Sequence, residues 1–196
     1  MDTRKELNKE HLYRRLVEAI AFILARAAEQ GLPTLSKFQI MKLLYLSQVE
    51  ALRFSGRPYF SEEEVPFIRG RNGPITPTYR AAVAELEAKG LIRVEPIDNP
   101  DYGYTRYDHK IIKEPDTFET PEGDLIFLAQ IVNDYAGISQ KELRAVVYDT
   151  EPMKARLQEE REKGVEIIAS RLDLGKIALV PELLDAYSDE PEATEV

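Results

Sequence analysis

The chain has 196 residues, no cysteine and no tryptophan, and its 35 acidic and 26 basic side chains leave a formal charge of −9. A chain of that length buries about 70% of its extended surface around one core without staples, and the lack of cysteine excludes a disulfide framework or a thiolate metal site. The acidic excess opposes general binding to nucleic-acid phosphate.

The polar start Met1–Glu6 has neither the apolar stretch of a secretory signal nor the length of a membrane span, so a soluble cytoplasmic protein is expected. Charge is uneven along the chain. Residues 34–113 carry 12 Lys/Arg and 10 Asp/Glu, whereas beyond Pro181 stand Glu182, Asp185, Asp189, Glu190, Glu192 and Glu195 with no base. Residues 188–196 are expected to be an acidic, disordered tail on a single domain spanning 1–187.

Leu12, Leu16, Ala19, Ile20, Ile23, Leu24 and Ala27 recur at three- and four-residue steps and predict a helix over 7–30, stopped by Gly31 and Pro33. Ser36 with Gln39 is a capping-box pair. It opens a second helix to Ser55 that is apolar nearly all round, from Phe38 through Leu43, Leu44 and Tyr45 to Phe54, and is therefore the core of the domain. After Gly56 and the acidic Glu62–Glu64 loop, Val65–Ile68 is a short extended piece. Thr76 then caps a third helix with Pro77 at its first position, Tyr79, Val83 and Leu86 inward, and Gly90 at its end. Leu91–Glu95 and Tyr104–Ile112 predict a strand hairpin with its turn over 96–103.

Helices return in the second half. Thr120-Pro121-Glu122 starts one that runs to Gly137, Ser139 with Glu142 is a second capping box, and Thr150-Glu151-Pro152 starts another to Lys163. Val165–Ala169 is too short to assign to strand or helix, and Leu179–Tyr187 predicts a last short helix. The fold class expected is mainly α (α+β), a compact and otherwise all-α body with a small hairpin.

Enzyme signatures are thin. His11 falls on the polar side of the first helix and His109 in the hairpin, with no partner at metal-ligand spacing. No phosphate-cradling glycine loop and no nucleophile-elbow serine occur. Gly70-Arg71-Asn72-Gly73 is read as a turn, because Pro74 blocks direct passage into a helix. No catalysis, cofactor or metal is expected. Residues 36–112 have the order of a winged helix, with Thr76–Lys89 in the recognition-helix position. Ala81, Ala82, Ala84, Glu85, Glu87 and Ala88 suit base reading poorly, and DNA is not the expected partner.

Three ordered motifs carry a resemblance. Lys42-Leu43-Leu44-Tyr45-Leu46-Ser47-Gln48, Gly56-Arg57-Pro58-Tyr59-Phe60 and Gly73-Pro74-Ile75-Thr76-Pro77-Thr78-Tyr79 are followed by Ser139-Gln140-Lys141-Glu142-Leu143 and Glu151-Pro152-Met153-Lys154. Over about residues 12–157 the chain resembles the Panacea domain, the SocA-like, phage-associated antitoxin family, as a divergent member. Arg69, Arg71 and Met153 stand where that family carries tryptophan, and Val147-Tyr148 where it carries Thr-His. The resemblance implies an antitoxin that neutralises a cognate toxin by direct binding, or an adaptor that delivers the toxin to a protease. The acidic body suits a basic toxin encoded nearby. The partner-binding surface is assigned to the glycine-bracketed loop and the helix it feeds: Arg69, Arg71, Asn72, Pro74 and Tyr79, with the arginines expected exposed.

Overall fold

The computed structural model describes residues 14–99 and 104–179. The first apolar stripe forms α1 (Arg14–Glu29), which buries Leu16, Ile20, Ile23 and Leu24 on one face. Gly31 takes a left-handed φ of 81° just past its end, where a residue without Cβ is unstrained. Residues 7–13 of the expected helix, with His11, lie outside the described residues, as does the expected helix beyond Leu179.

Ser36 closes the capping box as its spacing predicts: its side chain accepts from the Gln39 N–H, and the Gln39 side chain takes the Ser36 N–H at 3.0 Å. This starts α2 (Lys37–Ser55), which ends on left-handed Gly56. Every residue from Ile40 to Ala51 is buried, the burial expected of a helix apolar all round. The helices α1, α3 (Tyr79–Ala88), α4 (Glu122–Tyr135) and α5 (Gln140–Tyr148) pack about this core, and α6 (Glu151–Lys163) continues from α5. A short 3₁₀ turn, Leu174–Lys176, seats Leu174 against the same core.

The sheet part is larger than the sequence predicts, so the fold is mixed α+β and not all-α outside one small hairpin. β4 (Ile92–Asn99) and β5 (Tyr104–Ile111) pair antiparallel over eight residues each, where a turn was expected from residue 96. The two-residue strand β1 (Leu35–Ser36) lies on the other side of β5, giving the order β1-β5-β4. A second hairpin joins β2 (Ile68–Gly70) to β3 (Gly73–Ile75), with Arg71 and Asn72 as its turn. Residues 165–169 form neither strand nor helix. Instead the chain returns along β2: Arg69 N–H donates to the Ser170 carbonyl and Leu172 N–H to the Phe67 carbonyl.

Two expected threonine caps differ. The Thr76 hydroxyl bonds the Thr78 hydroxyl at 2.8 Å, and α3 begins three residues later, at Tyr79. The Thr120 hydroxyl donates to the Glu18 carboxylate of α1 at 2.6 Å, and α4 begins at Glu122. In both cases a partner closer than the helix end takes the hydroxyl. Because α2 packs against α1, α4, α5, β1, β3 and β5, Leu44→Ala, at a fully buried site, should lower the unfolding free energy by roughly 2–5 kcal/mol in urea denaturation.

Candidate functional site

A cleft of about 520 Å³ opens where the start of α2 meets the β2–β3 hairpin, β5 and α5. From α2 come Lys37, Phe38, Met41 and Lys42; Asn72 and Ile75 belong to the hairpin; Arg106 and Tyr107 to β5; Gln140 and Arg144 to α5. Its volume falls in the range of ligand sites, about 300–1,000 Å³.

Lys42 sets its chemistry. Only 1% of this residue is exposed, although it lies in the middle of the apolar helix. Its Nζ donates to the Pro74 carbonyl at 2.8 Å, and it stands 5.1 Å from the centre of the Phe38 ring. Arg144, on α5, stands 5.6 Å from the same ring. Burial, with the charges of Arg144 and Arg69 beside it, pushes the Lys42 ammonium down to about 7. The ion pairs among the described residues leave out Lys37, Lys42, Arg71 and Arg144. The cleft is thus cationic in a protein whose net charge is −9.

The hairpin turn is fixed against the body. Gly73 has a φ of 93°, and a Cβ there would lie 2.9 Å from a Tyr148 ring carbon and 3.1 Å from Lys42 Nζ. Only glycine allows that approach without strain. The Tyr148 hydroxyl reaches the Arg71 carbonyl at 3.5 Å.

Of the residues assigned from sequence, Arg71 and Asn72 are exposed at the turn, and Asn72 lines the cleft. The other three are buried. Arg69 is 4% exposed, not free: its guanidinium makes two bonds to the Glu160 carboxylate, at 3.0 and 3.3 Å, from α6. Pro74 is buried, and what it offers is a carbonyl turned onto Lys42. Tyr79 is 3% exposed and bonds His109 Nε2 at 2.9 Å, a packing role for both. Burial holds His109 below the ordinary histidine value. Lys42, Tyr107 and Arg144 escaped the sequence reading. Lys42 alone left a signal, as the one cation inside a run of core residues.

No group of three or more His, Asp or Glu placed to hold a metal occurs among the described residues, and no helix there is long and apolar enough to cross a membrane. The chain has no significant match among protein-family models, curated proteins or solved structures.

A lysine held near 7 when folded and near 10.5 when unfolded binds its proton more tightly in the unfolded chain. Its burial therefore costs stability fully below about pH 7 and progressively less above it. Stability should climb by up to about 1.4 kcal/mol per pH unit from this group across the alkaline side of neutrality. Urea denaturation of wild type and Lys42→Met between about pH 7.5 and 9.5 checks this. The slope should be present in the former and absent in the latter. Equal slopes would mean that Lys42 keeps its proton.

Proposed function

We propose that this chain is a protein-binding module of the antitoxin type, which neutralises a toxin by direct contact or hands it to a protease. The observation that carries the reading is the β2–β3 turn, which offers Arg71 and Asn72 to solvent on a backbone already fixed. Three contacts hold it: Lys42 on Pro74, Arg69 on Glu160, and the returning segment 169–172 on β2. An exposed arginine on a rigid support loses little conformational freedom on binding, and arginine is frequent among the residues that dominate interfaces. The acidic remainder of the body suits the steering of a basic partner. The resemblance in the motifs points the same way.

A second reading is a winged-helix DNA regulator. Apart from the β2–β3 hairpin set between α2 and α3, the succession α1, β1, α2, α3 and the β4–β5 hairpin, with β1 beside β5, is compatible with it at the level of fold, which by itself assigns no function. The side chains favour it less. Among the exposed residues of α3, Arg80 is the one cation, set among Ala81, Ala84, Glu87 and Ala88. The strand cations Arg93 and Arg106 are paired with Glu95 and Asp108.

Co-expression should relieve the toxicity of the product of the adjacent reading frame, and the two should co-purify. Arg71→Ala with Asn72→Ala should leave the melting temperature within about 2 °C of wild type. It should weaken the complex at least about tenfold in Kd, or 1.4 kcal/mol. Normal binding by that double variant would move the contact surface to the β4–β5 hairpin. A salt-sensitive, sequence-specific shift of its own promoter, lost in Arg80→Ala with Arg93→Ala, would replace the antitoxin reading with the regulator.

A further inference from the structure

The turn that presents Arg71 also roofs the cleft over Lys42, and the cleft has features that contact with a toxin does not require. A buried ammonium is costly unless an anion faces it, yet the single bond that Lys42 makes is to a carbonyl. Two of its three donors are therefore unused. Arg144 makes no ion pair or hydrogen bond among the described residues, and its guanidinium rests on the Phe38 ring. Lys37, at the mouth, is likewise without an acid. The acids nearby are engaged: Glu160 holds Arg69, and Asp108 holds Arg106. Tyr107, 48% exposed, lines the same cleft and leaves part of its ring open to solvent.

We propose that this cleft binds a small organic phosphate, with the phosphate on Lys42 and Arg144 and a planar ring on Tyr107. Three unpaired cations favour a doubly charged phosphate over a single carboxylate. An exposed aromatic ring beside them is a stacking platform of the kind used for nucleobases. Asn72 and Gln140 supply donors and acceptors for the rim of the ring. The occupant would satisfy the cation that folding leaves without a counter-charge. The site stands whether or not the protein is an antitoxin, because it is read from the cleft alone.

Binding should couple to a proton. A phosphate beside Lys42 favours its charged form, so above neutrality the complex takes up a proton that the free protein lacks. The groups facing Lys42 are Arg144 and Tyr148 of α5 and Arg69 of β2, the last neutralised by Glu160 of α6. A phosphate monoester is already dianionic there, with its second pKa near about 6.

The test is calorimetric titration of the full chain with adenosine monophosphate, inorganic phosphate, adenosine and a Glu-Glu-Tyr peptide as separate probes. Adenosine monophosphate should bind at least about tenfold more tightly than inorganic phosphate or adenosine, and its affinity should fall between about pH 7 and 9. Arg144→Gln, a surface change, should weaken it about tenfold with the melting temperature unchanged, and folded Lys42→Met should weaken it as well. Tyr107→Ala should weaken adenosine monophosphate and leave inorganic phosphate as it was. No saturable binding of the nucleotide at about 10 mM would overturn the proposal. So would binding that neither Arg144→Gln nor Lys42→Met changes. Tighter binding of the acidic peptide would also overturn it, assigning the cleft to a protein's carboxylates.

Discussion

Three polar side chains on one buried helix fix the rest of this fold. Lys42, Tyr45 and Gln48 follow one another at three-residue steps on α2, and each fastens a different segment. Lys42 takes the Pro74 carbonyl of the β2–β3 hairpin, and the Tyr45 hydroxyl meets Thr150 at the start of α6 at 2.8 Å. The Gln48 amide bonds Phe60 twice, accepting from its N–H at 2.7 Å and donating to its carbonyl at 3.2 Å. Buried polar groups are tolerable only when paired, and a clamp that must be satisfied admits few alternative arrangements. The apolar residues of α2 drive collapse around it. These three clamps decide which loops lie where.

Of the three, the lysine clamp is incomplete, and the candidate site lies beside it. Tyr45 and Gln48 find neutral partners that meet their needs, whereas an ammonium on one carbonyl remains without a counter-charge. Burial lowers this ammonium to about 7, so near neutrality it still carries part of its charge beside Arg144. A local positive field within an acidic protein results, walled by Phe38, Met41 and Ile75 and opening beside the exposed turn. Low-dielectric walls focus such a field on whatever enters. The turn and the cleft share the hairpin, so an occupant of the cleft would touch the backbone that presents Arg71.

Much of the helical frame is legible in the sequence because it depends on neighbours a few residues apart. Both capping boxes, Ser36 with Gln39 and Ser139 with Glu142, form as their spacing requires, and Gly56 and Gly164 end their helices left-handed. The β4–β5 hairpin was readable as two strand-like runs about a turn-rich segment, though not its full length. What escaped depends on distant pairing. Arg69 reads as a free cation in a loop, because Glu160, 91 residues away, is invisible from its surroundings. Thr76 and Thr120 read as caps until the packed chain gives their hydroxyls other partners. The cleft is the extreme case, since α2, β5 and α5 meet there from three parts of the chain. Its one local trace was a lysine where the pattern calls for an apolar residue.

The protonation state of that lysine decides the character of the cleft. Carbon-13 NMR of the full chain with labelled lysine, assigned by its loss in Lys42→Met, follows the side-chain carbon next to Nζ through a pH titration. An enclosed, uncompensated ammonium predicts a midpoint of about 7, moving upward when phosphate is added. A midpoint at the ordinary lysine value, unmoved by phosphate, would contradict it.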